Sequence, residues 1–485
     1  MTIDILPDDV LLLIFHFDLL EDRATFPYLD GLGDLNGRDD YYKVEDDGLL
    51  LLSWHRLVHV CRRWRSVVFA SPNFLDLRLV CDARTRVELT GIWPRISITI
   101  RTTDNWPIPE DYDFDAAMVH PNRVREIRLL DLTDSLLQRL ASVMQQEFPA
   151  LIHLKLGRSP SYSIGAPDIP DGFLGGSAPL LQSLMLCYIS FPAISNLLLS
   201  ATSLVHLTLW EVPWSASGSE YLSDSGCFSA EVIVTGLAAL TNLKSLTIGS
   251  DFFPDLEHQH SLPTCTFLPA LIHFEFRGVS SYLENLVARI DAPLLNSFFI
   301  TFLFRLIFDV PQLTQFMKRT TKFQALNEAH VDIDDYASRV DSFPPTQTFD
   351  EMSRFSISFE FAESPWPYEP AAQILTSFFP SLYIVEHLYI YSSRYFTEYG
   401  EYGLDIFHPF TFAKNVYVSK EFVRGIIPAL QDLVEEGVAG VLPALETLFL
   451  EKLQPLGPVW DVIEQFVAAR QLLGHPMAIS YWNRT

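Results

Sequence analysis

One eight-residue frame, P-x-L-x-x-L-x-L, constrains this chain more than any other feature. It reads PALIHLKL from Pro149, PLLQSLML from Pro179, PALIHFEF from Pro269, PLLNSFFI from Pro293 and PALETLFL from Pro443. TSLVHLTL from Thr202 and TNLKSLTI from Thr241 keep the frame without the proline, and degenerate copies fit at Val124, Leu326, Met352, Val385 and Ala413, counted from the first apolar position. The twelve copies between Val124 and Leu445 recur at uneven intervals averaging about 29 residues. The alternating L-x-L tail predicts a short strand with one face buried. Intervening stretches such as ISNLLLSAT and AEVIVTGLAALT read as helices that return the chain. Units of this kind cannot bury their apolar face alone, so they stack and pair their strands into a parallel sheet. At 485 residues the chain is too long for one ordinary compact core. VWDVIEQFVAARQLLG reads as a closing amphipathic helix with Gly474 as its stop, and HPMAISYW as a final strand; the two form a C-terminal cap.

The N-terminal stretch follows other rules. In ILPDDVLLLIFHF, Pro7 suits a first helical turn, and Asp8 and Asp9 sit where the helix dipole favours negative charge. Val10, Leu11, Ile14 and Phe15 then repeat at helical spacing, in a segment richer in leucine than a half-solvated helix needs. Further on, RLVHVCRRWRSVVFASP sets Leu57, Val60, Cys61, Trp64, Val67 and Val68 along one predicted helical stripe. Arg56, Arg62 and Arg63 point away from that stripe and Arg65 flanks it. The arginines therefore read as the solvated side of an amphipathic helix and not as a nucleic-acid groove, which would interleave them with aromatics.

LPDDVLLLIF followed by LVHVCRRWRSVVFASPNFLDLRL resembles an F-box, in the version common in mushroom-type fungi. The resemblance covers about the first 80 residues and implies a helical module that docks on the Skp-type adaptor of a cullin–RING ubiquitin ligase. Carried over by position, it implies that Leu6, Pro7, Val10, Leu11 and Ile14, with Leu57, Val60, Cys61, Trp64 and Val67, face the adaptor or pack the module. So much apolar surface on so few helices leaves a patch in want of a partner. The repeats resemble a degenerate leucine-rich-repeat array that mostly lacks the Asn or Cys after the L-x-L. The expected architecture is α/β: a small N-terminal helical F-box-like module over 1–80, with an acidic insertion at about 27–52; a connecting segment over 81–123; and an irregular leucine-rich-repeat-like solenoid with a parallel sheet and a C-terminal cap over 124–485.

Several function classes lose ground on chemistry. A net charge of -26 repels nucleic acid and anionic membrane and favours basic or neutral partners, so the protein substrate is expected to present a basic rather than an acidic contact patch. The start has no signal-peptide pattern, so the expected compartment is cytoplasmic or nuclear, not secreted, and the Asn483-Arg484-Thr485 sequon would go unused. PLLNSFFITFLFRLIFDV, from Pro293 to Val310, is short for a bilayer and reads as core. The five cysteines (Cys61, Cys81, Cys187, Cys227 and Cys265) form no CxxC pair and read as reduced thiols, with no structural metal. GLGDLNG lies in the acidic run Asp30 to Asp47 and lacks the strand and helix of a dinucleotide turn. EHQH, from Glu257, reads as a polar loop. DIDD, from Asp332, lacks the glycine and distant glutamate of a calcium loop. The aromatic run FFPSLYIVEHLYIYSSRYF has strand periodicity and is assigned to core and surface of a repeat, not to base stacking. No serine-hydrolase elbow, phosphate loop or zinc helix is present, and no cofactor is expected.

The expected function is thus a non-catalytic substrate receptor for ubiquitin-dependent degradation. The alternatives are a leucine-rich-repeat scaffold without a ubiquitin role and, last, an enzyme with dispersed catalytic residues.

Overall fold

A computed structural model describes residues 6–24, 53–81, 93–102, 108, 110, 112–159, 168–210, 230–249, 265–303, 310–320, 322–323, 327–333, 337–343, 354–360, 385–392, 407, 410–420, 422–423, 442–451 and 458–482. Two compact units emerge, Met1–Cys227 and Phe228–Thr485. The acidic run Asp30–Asp47, EHQH, Cys227 and the terminal sequon lie outside the described residues.

The first unit opens with three helices, α1 (Asp8–Ala24), α2 (Ser53–Val60) and α3 (Arg62–Ala70). Six strands follow: β1 (Arg78–Cys81), β2 (Ser97–Arg101), β3 (Val124–Leu132), β4 (His153–Arg158), β5 (Ser183–Cys187) and β6 (His206–Trp210). They pair in chain order and all in parallel. Returning helices include α4 (Phe114–Ala117), α5 (Asp134–Val143) and α6 (Ile194–Ser200). The sheet starts before the first copy of the frame: β1 and β2 precede Val124, and β2 lies within the stretch expected to be a connection.

The frame has a local cause. In PALIHLKL the Leu151 N–H donates to the Phe148 carbonyl at 3.1 Å, so Phe148-Pro149-Ala150-Leu151 is a β-turn with proline second. Proline's fixed φ presets that position. The same bond closes the turns at Leu181 (3.1 Å), Leu271 (3.3 Å), Leu295 (3.2 Å) and Leu445 (3.1 Å), and, with threonine in place of proline, at Leu204 (3.0 Å) and Leu243 (3.1 Å). Each turn leucine is buried. Register then aligns the tails: Leu154, Leu184 and Leu207 form one buried row and Leu156, Leu186 and Leu209 the next.

The second unit uses the same turn and strand: β7 (Ser245–Gly249), β9 (His273–Gly278), β11 (Ser297–Leu303), β12 (Glu328–Ile333), β14 (Arg354–Glu360), β15 (His387–Ser392), β16 (Asn415–Val418), β17 (Thr447–Glu451) and β18 (Ala478–Trp482). Between them lie β8 (Thr266–Phe267), β10 (Ile290–Asp291), β13 (Ala337–Phe343) and helices α7 (Ala230–Leu237), α8 (Ser280–Val287), α9 (Pro311–Arg319) and α10 (Pro458–Leu472). Eleven of the twelve frame positions thus precede a strand, and Val124 is itself the first residue of β3. The Glu284 carboxylate of α8 accepts from the first free N–H groups of α9, Gln312 at 2.9 Å and Leu313 at 2.8 Å, where the dipole favours an anion. Gly474 ends α10 at φ +83, with His475 N–H donating to Arg470 O at 3.0 Å and Gly474 N–H to Gln471 O at 3.2 Å, the Schellman pair.

Sequential stacking fails in one place. The strand order is β11-β14-β13-β12-β15. β13 runs antiparallel to both β12 and β14, so a strand replaces the expected helical return between the Leu326 and Met352 copies. β12 and β14 remain parallel to their outer neighbours β15 and β11. Of DIDD, Asp332 and Ile333 end β12, and the last two residues lie outside the described residues. The apolar run from Pro293 holds β11, whose Phe298, Ile300 and Phe302 are buried between β9 and β14. Among the described residues no helix is long and apolar enough to cross a membrane. The chain is a mixed α/β protein with parallel sheets, consistent with a leucine-rich-repeat-like fold.

Candidate interaction surfaces

The helices and the start of the first sheet share one core. Leu11, Phe15 and Leu19 of α1, Trp54, Leu57 and Val58 of α2, and Val67 and Val68 of α3 pack with Leu75, Leu77, Leu79 and Ile96. Trp54 Nε1 donates to the Arg78 carbonyl of β1 at 3.1 Å. The single continuous stripe expected over Leu57–Val68 is broken. Cys61 is extended, at φ -156 and ψ 172, and its Sγ accepts from Trp64 N–H at 3.4 Å as the N-cap of α3. A sulfur cap is weak, but it satisfies one of the donors a new helix exposes.

The break sorts the ten predicted residues. Leu11, Leu57 and Val67 are buried and pack the core. Leu6, Val10, Cys61 and Trp64 are half-buried, with Trp64 against Phe15 at a ring separation of 4.6 Å. Pro7, Ile14 and Val60 are exposed, Val60 by 57%. The Pro7 carbonyl accepts the first helical bond, from Leu11 N–H at 3.1 Å, so Pro7 stands at the N-cap, one position before the first turn.

The arginines are not a plain solvated back. Arg63 donates from Nε and Nη2 to Asp8 Oδ1, at 3.0 and 2.7 Å, and to the Leu6 carbonyl. Arg56 reaches Asp18 at 2.9 Å, and Arg65 Nε the Val58 carbonyl at 3.0 Å. These bonds tie α1 to α2 and α3. Exposed pairs contribute only about 0.2–1 kcal/mol, so they orient the helices more than they stabilise them.

What α1 leaves outside is apolar. Val10, Leu13, Ile14 and Phe17 fall at i, i+3, i+4 and i+7, opposite Leu11, Phe15 and Leu19. Leu13, Ile14 and Phe17 are exposed, Phe17 by 66%. Exposed Phe74 lies nearby, across His16 at 5.1 Å. Leu13, Phe17 and Phe74 were not among the predicted residues. The signal was present in the leucine excess of DDVLLLIFHF, which feeds two faces of one helix.

The open strand faces of the two units differ. In the second unit register aligns His330, Tyr389, Tyr417 and Phe449. Their rings stack at 4.4, 4.1 and 4.4 Å, and Trp482 lies edge-on to Tyr389 and Tyr417. Because the ring faces are taken up by one another, the ladder has little left on which bases could stack. Burial, then Tyr417 and Glu328, push the Tyr389 hydroxyl well above its ordinary value. In the first unit the open face carries cations: Arg101, Arg128 and Lys155 share one register row. Burial, then Arg128, hold the Lys155 ammonium below its ordinary value, against the opposing pull of Glu126.

No cluster of His, Cys, Asp or Glu able to hold a metal occurs among the described residues, and Cys61, Cys81, Cys187 and Cys265 are free thiols. No protein-family model matches the chain, and no curated protein is significantly similar to it. Among solved structures it is similar to the leucine-rich repeat-containing protein LegL7 from Legionella pneumophila, at 13% identity and a TM-score of 0.23, over 80% of this chain and 97% of that one. So weak a superposition transfers nothing to this chain.

Proposed function

We propose that this chain is the substrate-recognition subunit of a cullin–RING (Skp-cullin-F-box) ubiquitin ligase. In this reading the three N-terminal helices dock on a Skp-type adaptor, which links them to the cullin scaffold, and the open faces of the repeats hold a protein substrate. The chain itself is non-catalytic. The observation that carries the reading is the outward stripe Leu13, Ile14 and Phe17 on a helix whose opposite face is already committed to a core. Exposed apolar residues grouped on one helical face mark an interaction site, and the large exposed aromatic Phe17 among them suits a hot spot.

The test is co-purification. Tagged full chain expressed with a Skp-type adaptor retains it in stoichiometric amount, and Leu13→Glu or Phe17→Asp loses it while keeping the wild-type circular dichroism spectrum. A chain that folds but retains no adaptor supports the second reading, a repeat scaffold with no ubiquitin role.

A further inference from the structure

The row Arg101, Arg128 and Lys155 is not used by the helical surface. The three residues stand on β2, β3 and β4 at matched register, each half-buried. Adjacent strands lie about 4.8 Å apart, so the cations span about 10 Å. Glu126, in the adjoining row, accepts from Arg78 Nη1 at 2.9 Å. Among the described residues neither Arg128 nor Lys155 takes part in a salt bridge. Like charges set side by side repel, and in a chain of net charge -26 their convergence runs against the average composition.

We infer that this row docks an extended acidic segment of a partner protein, with carboxylates on alternate residues. In an extended chain such side chains share one face about 7 Å apart, which falls within the span of the row. Guanidinium–carboxylate bonds are charge-assisted and, at arginine, bidentate. A long polyanion such as RNA meets the chain's overall negative field, whereas a short acidic segment answers to the local charge. The expectation of a basic partner came from total charge, which is a sum over the whole surface; strand register concentrates the opposite sign in one place. The inference rests on the receptor reading only in taking the open face as the substrate side.

Fluorescence anisotropy with the full chain tests it. The probe is a fluorescein-labelled peptide alternating serine with aspartate or glutamate, and the control replaces every acid with lysine. The acidic probe binds and the lysine probe does not, and binding weakens as salt shortens the Debye length from about 30 Å to about 8 Å. Arg128→Gln and Lys155→Gln each weaken binding by about tenfold or more, Lys155→Arg restores it, and Lys244→Gln, on a turn of the second unit, leaves it unchanged. Phe17→Asp also leaves it unchanged, so failure of adaptor docking and failure of this site appear in different variants. No binding of the acidic probe, no salt dependence, or wild-type affinity in both Gln variants overturns the inference. Displacement of the probe by single-stranded RNA at lower concentration than by unlabelled peptide overturns it in favour of a nucleic-acid site.

Discussion

Phe15 and Phe17 stand two positions apart on one helix and meet opposite environments. Phe15 is sealed into the core against Trp64, and Phe17 is 66% exposed. The distinction separates two kinds of loss. Trp64→Ala removes packing from a half-buried site and lowers unfolding stability by about 3 kcal/mol, read by urea denaturation. Phe17→Asp leaves that stability within about 0.5 kcal/mol of wild type and acts on adaptor binding alone. A second residue-scale test lies in the last repeat. Arg470 is only 1% exposed and donates to the Leu442 and Leu445 carbonyls at 3.1 and 3.3 Å. It thereby ties α10 to the turn before β17. Arg470→Met keeps the bulk but removes both side-chain donors, leaving the Leu445 carbonyl without its guanidinium partner while Leu442 keeps the turn bond from Leu445 N–H, and costs about 2 kcal/mol in the same urea experiment. Neither role was legible in the sequence. Apolar periodicity locates helix faces but not which face finds a partner, and Arg470 reads like any basic residue near a helix end.

At the scale of elements the sequence was far more explicit. The turn-and-strand frame is local: a proline that presets a turn, a leucine that plugs it and an alternating tail. The twelve strands it marks could therefore be read without knowing their neighbours. What it could not show was pairing. β13 has no frame, and it converts one helical return into a β12–β13–β14 meander that reorders the sheet. The α2–α3 break was hidden for a related reason. Cys61 falls on the helical stripe, and only its extended backbone reveals a cap. The frame predicts unequal costs within one turn. Pro149→Ala loses about 0.4–1 kcal/mol through the unfolded chain, whereas Leu151→Ala loses about 2–5 kcal/mol through a cavity; paired urea titrations measure both. The aromatic ladder makes a pH prediction. Tyr389 is raised above its ordinary 10.0, so the fold favours the neutral phenol. That contribution is complete below about pH 10 and is lost as the pH rises through the folded value. Tyr389→Phe therefore gains stability relative to wild type as urea midpoints are taken from about pH 8 to above pH 10. A constant difference across that range would mean that the hydroxyl does not feel the ladder.

Over the whole molecule, two surfaces with different chemistry lie in the first unit: an apolar stripe on α1 and a basic row on β2, β3 and β4. Total charge concealed the second, whereas the leucine excess of DDVLLLIFHF hinted at the first. The central claim is that the α1 stripe is the adaptor contact. Isothermal titration of the purified full chain with a purified Skp-type adaptor tests it most directly. One-to-one binding is expected, weakened about tenfold or more by Phe17→Asp and left unchanged by Lys155→Gln. Absence of binding by the folded wild-type chain, or equal affinity for wild type and Phe17→Asp, would contradict it.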